Sequence, residues 1–118
     1  MSDESPAYRL ILQPTVETEI EDAFRWLQEQ SPSRAVKWLN GLMQAIESLT
    51  VFPRSCPLAP ENDYFVEEIR QLLYGKRGSV YRVLYTLVGE EIHILHVRHG
   101  SRDVLRPPGA RPIESSED

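Results

Sequence analysis

Two apolar strands joined by a short turn make up residues 79–103, SVYRVLYTLVGEEIHILHVRHGSRD. Over 79–88, apolar and polar side chains alternate, which is typical of a strand with one face against a core. Residues 89–91, GEE, form the turn, and 92–99 continue as the second strand. The stretch therefore predicts an antiparallel β-hairpin that ends in a polar cluster.

Two helices and two further strands are predicted before this hairpin. The predicted elements are a strand, two helices, a loop and a second strand, at 8–13, 15–30, 32–51, 52–63 and 66–74 respectively. Pro14 ends the first strand because it lacks an amide N–H, and Thr15 can cap the first helix. Ser31 followed by Pro32 starts the second helix. The order β–α–α–β–β–β predicts an α+β fold, an antiparallel sheet packed against a helical hairpin.

The length of 118 residues suits one domain. We expect residues 1–7 to be a disordered N-terminus, 8–104 a single domain, and 105–118 a proline-rich acidic tail. The apolar runs are far shorter than a membrane span, and the polar N-terminus does not read as a signal peptide. With Cys56 as the only cysteine, these features predict a cytoplasmic protein without membrane contact.

The charge of the chain is unevenly distributed. A net charge of -5 argues against a generally nucleic-acid-binding surface. Residues 68–112, however, contain eight Lys or Arg against four Asp or Glu. The second half can therefore carry a basic face, with ordinary solvated arginines as the alternative interpretation.

The histidines at the end of the hairpin first suggest a metal site. His96 and His99 are an odd number of residues apart, so a strand places them on opposite faces. His93 and His99 share a face in an ideal strand, but about 20 Å apart, too far for one ion. We therefore expect no metal site and no cofactor.

Three other chemistries fit the polar cluster. His99 and Asp103, beside arginines and tyrosines of the sheet, could supply a proton carrier and anion stabilisers for RNA cleavage. Arg82, Arg98 and Arg102 could instead form a phosphate-binding edge. A groove between the sheet and the helical hairpin could accept a protein segment. The simplest alternative is the polar end of a strand.

The hairpin segment 81–103, with its YRVLY strand and HGSRD ending, resembles the C-terminal core of the ParE/RelE superfamily of bacterial toxins. The resemblance extends back through the loop FPRSCPLAPE and the helical hairpin to the opening strand, and covers about residues 8–104. It implies the toxin of a type II toxin–antitoxin module, a class that includes plasmid stabilisation proteins. A cognate antitoxin protein would neutralise it.

The superfamily divides by mechanism. RelE-like members are ribosome-dependent mRNA endonucleases (mRNA interferases), and ParE-like members inhibit DNA gyrase. In a RelE-like protein the resemblance implies catalytic roles for Arg82, His99 and Arg102. The residues expected to contact a substrate or target are Arg70, Arg82, Tyr85, Arg98 and Arg102.

Departures from the RelE pattern favour the ParE side. The chain is acidic, and its C-terminal tail has no tyrosine. The leading hypothesis is therefore a non-enzymatic, ParE-like toxin that binds an antitoxin and acts on DNA gyrase. The alternatives are a RelE-like mRNA endonuclease, whose partners would be the ribosome and mRNA, and a non-toxic binding protein with the toxin fold.

Overall fold

A computed structural model describes residues 8–76 and 78–101. Its helices and strands are β1 (Arg9–Leu12), α1 (Pro14–Gln30), α2 (Pro32–Ser48), β2 (Arg70–Lys76), β3 (Ser79–Val88) and β4 (Glu91–His99), with a short 3-10 helix at Pro60–Tyr64 between α2 and β2. The order confirms the predicted α+β fold. Within the described ranges, no helix is both long and apolar enough to cross a bilayer.

The four strands form one mixed sheet in the order β1-β4-β3-β2. β2 and β4 are both antiparallel to β3, which lies between them, as predicted. β1 is parallel to β4, with Leu10 opposite Ile92, so the prediction of a purely antiparallel sheet is wrong for this strand. Parallel neighbours need a long connection. Here the whole chain between β1 and β4 provides it, and no local pattern in β1 reveals the direction.

Each helix begins with a proline in its first turn. Ser31 caps α2, and its Oγ accepts the Arg34 backbone N–H at 3.4 Å, as predicted. α1 begins at Pro14 rather than after Thr15, and the N-cap residue Gln13 makes no side-chain cap bond. Proline is favoured in the first turn because its φ is already helical and no N–H is needed there. α2 ends at Ser48, before the predicted 51.

The two faces of the sheet have different surroundings. The helical hairpin packs on one of them, called here the helix face, and buries the larger core, which includes Val16, Ile20, Leu42, Ile46, Val83, Tyr85, Ile92, Ile94 and Val97. The opposite face, called the open face, carries a smaller cluster of Ala59, Ile69 and Leu84, with Phe65 and Leu95 beside it. Burying each large apolar side chain stabilises the fold by about 1.5–3 kcal/mol.

Gly41 allows β2 to approach α2 closely. The Tyr74 hydroxyl donates a hydrogen bond to the Trp38 carbonyl oxygen at 2.8 Å. A Cβ atom at position 41 would collide with that hydroxyl. The absence of a side chain at Gly41 is therefore what permits this contact between helix and strand.

We expect Gly41→Ala to lower the free energy of unfolding by about 1–3 kcal/mol, the usual cost of overpacking, even though alanine favours helix. Urea denaturation measures the change. In a Tyr74→Phe background, where the colliding oxygen is absent, the same substitution should cost clearly less. An equal cost in both backgrounds would contradict this explanation.

Candidate functional site

A β-bulge in β4 decides which side chains share a face of the sheet. Tyr85 lies opposite Ile94, whereas its neighbour Leu84 lies opposite His96. Leu95 is therefore an extra residue in β4. Such an insertion changes the phase of side-chain alternation beyond that point.

The bulge separates the predicted site residues. His99 lies opposite Tyr81, which belongs to the helix face, and Arg82 lies opposite Arg98 on the other face. The prediction that His93 and His99 share a face assumes an ideal strand. It is wrong because the bulge lies between the two residues. His99 and Arg82, expected to act together from neighbouring strands, lie on opposite faces of the sheet.

Arg82 is a buried ion-pair residue. Only 7% of it is exposed, and its guanidinium pairs with the carboxylate of Glu61, which is 1% exposed. Its Nε also donates to the Gln71 Oε1 at 3.0 Å. Buried charges persist where they are paired and hydrogen-bonded. The positive charge of Arg82 is therefore neutralised from within the protein.

The partner Glu61 comes from residues 57–69, called here the cover loop, which lies over part of the open face. Asn62 Oδ1 accepts the backbone N–H of Ile69 at 2.9 Å. The Thr86 hydroxyl donates to the Glu68 carbonyl oxygen at 2.8 Å. These bonds tie residues 66–69 into the loop, which explains why β2 begins at Arg70 rather than at the predicted 66.

Two of the expected target-binding residues hold the preceding loop in place. Tyr85 is completely buried, and its hydroxyl donates to the Pro53 carbonyl oxygen at 2.6 Å. Arg70 donates from Nη1 to the carbonyl oxygens of Cys56 at 2.6 Å and of Arg54 at 3.3 Å. Tyr85 is poorly placed for the expected contact with a target, because the alternation of side chains along β3 directs it into the core.

The remaining predicted residues are divided. Arg98 is half-buried on the open face beside Arg82. Arg102, expected to take part in catalysis or target binding, and Asp103 lie outside the described residues. Of the predicted catalytic set, the structure places Arg82 and His99 on opposite faces of the sheet, although both line a cleft of about 450 Å³ at the end of the sheet.

His99 is oriented by its neighbours at the end of β4. Its Nδ1 accepts the Ser101 backbone N–H at 3.1 Å and lies 2.8 Å from the Ser101 hydroxyl. Because Nδ1 accepts, the proton of the neutral ring is on Nε2. The imidazole meets the Tyr81 ring edge-on at a centroid distance of 5.2 Å.

Glu19 of α1 has a role that the sequence analysis missed. Its carboxylate accepts the Val97 backbone N–H at 2.7 Å and contacts His96 Nδ1 at 2.9 Å. Glu19 thereby accepts a backbone N–H of β4 at a position beyond the end of β1, where β4 has no neighbouring strand on that side. The acidic first turns of α1 are readily explained by the helix dipole, and no local signal indicates this long-range contact.

A cleft of about 680 Å³ lies on the open face between the cover loop and β4, lined by residues that include Phe65, Leu84, His93, Leu95 and His96. His93 and His96 are both present because the bulge puts them on this side. In the part of the chain that the structure describes, no three potential ligands form a group able to hold a metal ion.

Comparison with known proteins identifies the class of this fold and site. The family described as the ParE toxin of the type II toxin–antitoxin system parDE matches residues 10–104. The chain therefore belongs to the ParE toxin family of type II toxin–antitoxin systems. No curated protein sequence matches it significantly.

A solved structure supports the fold. A chain described as the chromosomal ParDE toxin–antitoxin system from P. aeruginosa is similar, with a TM-score of 0.61 and 15% sequence identity. The similarity covers 79% of this chain and 96% of that chain. At this identity the likeness concerns the arrangement of helices and strands.

Removing the charge of Glu61 should destabilise the folded protein. We expect Glu61→Gln to lower the free energy of unfolding by about 3 kcal/mol, because the guanidinium of Arg82 would stay buried without its counter-charge. The matched control is Arg25→Gln, which breaks the exposed pair between Arg25 and Asp22 and should change stability by less than about 0.5 kcal/mol. Equal effects in urea denaturation would contradict a buried pair.

Stability should fall in alkaline solution. Burial raises the pKa of Tyr74, Tyr81 and Tyr85 above the ordinary 10.0, most strongly for Tyr85. The unfolded chain therefore loses these protons first, and the stability they contribute is complete below about pH 10 and lost as pH rises through the folded-state pKa.

Urea denaturation at a series of pH values, with tyrosinate absorbance recorded in parallel, tests this. Tyr85→Phe should show a shallower fall above pH 10, because one of the linked protons is missing. An unchanged pH dependence in that variant would show that Tyr85 ionises equally well in the folded protein.

Proposed function

We propose that this protein is a ParE-like toxin that a cognate antitoxin neutralises and that acts in the cytoplasm on DNA gyrase by binding rather than by RNA cleavage. We further propose that residues 8–104 form the toxin domain, with 1–7 and 105–118 outside it. Membership of the ParE toxin family supports this function.

The observation that carries the choice of mechanism is the separation of Arg82 from His99. Cleavage of RNA through the 2′-hydroxyl needs a base, an acid and a cation near one phosphate. Arg82 faces the cover loop, whereas His99 packs against Tyr81 on the helix face. Both residues line one cleft of about 450 Å³ at the end of the sheet, but they lie on opposite faces of the strands and the guanidinium of Arg82 is already paired with Glu61.

The electrostatics support the same choice. Glu61 already neutralises Arg82, so this arginine offers little charge to an RNA phosphate. The net charge of -5 opposes general attraction to ribosomal RNA. A protein target such as gyrase requires local complementarity rather than a basic surface.

Induced expression in a bacterial host tests the proposal. We expect growth arrest with a DNA-damage response, reversed when the neighbouring antitoxin gene is co-expressed. The purified protein should inhibit supercoiling by gyrase, and translating ribosomes should show no codon-phased mRNA cleavage.

Two results would contradict the proposal. Codon-phased cleavage that disappears in folded His99→Ala and Arg102→Ala variants would identify a RelE-like endonuclease. Normal growth in the presence of folded protein, together with intact gyrase activity in vitro, would identify a non-toxic binding protein with the toxin fold.

A further inference from the structure

A second cleft, on the helix face, lies where the turn between α1 and α2 approaches the ends of β3 and β4. Its volume is about 490 Å³, within the range of small-molecule sites. We call it the hairpin cleft; the lining residues used below are Trp26, Ser31, Arg34, Tyr81, His99 and Ser101. Arg82 is not among its lining residues, although His99 and Ser101 also line another cleft that Arg82 reaches from the open face.

The lining of the hairpin cleft favours negative charge. Although the protein is acidic overall, no carboxylate is among the described residues that line the cleft. Arg34 lines it and makes no ion pair with any residue that the structure describes. α2 begins at Pro32, so the positive end of its dipole lies at the same place.

Tyr81 is the independent sign of a ligand. It is 7% exposed, yet its hydroxyl has no hydrogen-bond partner within residues 8–76 and 78–101. The hydroxyl is not among the buried side-chain atoms that lack a partner in the described residues, so it is accessible from the cleft that Tyr81 lines. Burial raises the pKa of Tyr81, so the group is protonated and ready to donate to an acceptor in the cleft.

His99 adds another donor. Because its Nδ1 accepts the Ser101 N–H, its Nε2 carries the proton of the neutral ring. Arg34, Tyr81 and His99 thus present N–H and O–H donors to one cleft. Such a set suits an acceptor-rich anion, and a phosphate group is the common example.

Trp26 provides a planar apolar surface at the same cleft. Trp26 is 57% exposed. An exposed indole beside phosphate-binding donors is typical of sites where a nucleic-acid base stacks. The ligand that suits both the donors and Trp26 is therefore an anion that carries a flat ring.

We propose that the hairpin cleft binds a nucleoside phosphate, with the phosphate at Arg34, Tyr81 and His99 and the base stacked on Trp26. A free nucleotide and the 5′-terminal nucleotide of a strand share this chemistry. The site does not depend on gyrase as the target, so either assignment can fail without the other.

Titration of the full-length protein with adenosine 5′-monophosphate tests the proposal. Calorimetry gives the affinity, and the NMR shift of the Trp26 indole N–H reports the location. We expect binding near the millimolar range or tighter, at least about tenfold stronger than that of adenosine or inorganic phosphate alone. A 5′-phosphorylated oligoadenylate that binds more tightly than the mononucleotide would identify a strand end as the source.

Arg34→Gln and Trp26→Ala should each weaken binding by about tenfold or more, since both positions are exposed and the fold should persist. Arg25→Gln is the matched control, because it removes the same charge from α1 outside the cleft, and it should leave the affinity within about twofold. Adenosine binding as tightly as the monophosphate, equal losses in the two arginine variants, or an indole signal that does not move would each overturn the proposal.

Discussion

The arrangement of functional side chains depends on one extra residue, Leu95, in β4. Without this bulge, His99 would follow the alternation of His93 and face away from the helices. With it, His99 packs edge-on against Tyr81 on the helix face. Bulges redirect side chains at the cost of one unpaired position in a ladder. Here the bulge places His99 on the helix face and leaves Arg82 and Arg98 on the open face, so the two faces differ in chemistry. A cleft lies on each face.

The buried pair of Arg82 and Glu61 determines what the open face can do. Glu61 is supplied by the cover loop, which Thr86 binds to the sheet and which a hydrogen bond from Ile69 to Asn62 braces internally. An arginine in this position of a RelE-like endonuclease would have to meet a phosphate. In this protein the cover loop supplies the negative charge instead.

Local signals were sufficient to predict the fold class. The amphipathic helices, with Ser31 and Pro32 between them, and the alternating strand at 79–88 each express an interaction within a few residues of sequence. The YRVLY and HGSRD segments then gave the family. The parallel pairing of β1 was missed because it depends on a partner far along the chain.

The site was less predictable because its geometry depends on contacts between distant residues. Two consecutive apolar residues, Ile94 and Leu95, interrupt the alternation of β4, but a strand buried on both faces has the same appearance. Glu61 lies in a proline-rich loop where nothing local marks an acid that will be buried. Tyr85 was expected to contact a target, although its place in the alternation with Val83 fits the core equally well.

The most direct test of this account is the set of nuclear Overhauser contacts made by the His99 imidazole in the folded protein. We expect cross-peaks between the ring protons of His99 and those of Tyr81, and none to the side chain of Arg82. Cross-peaks between His99 and Arg82 would contradict it, because they would place both groups on one face, where they could act on the same phosphate.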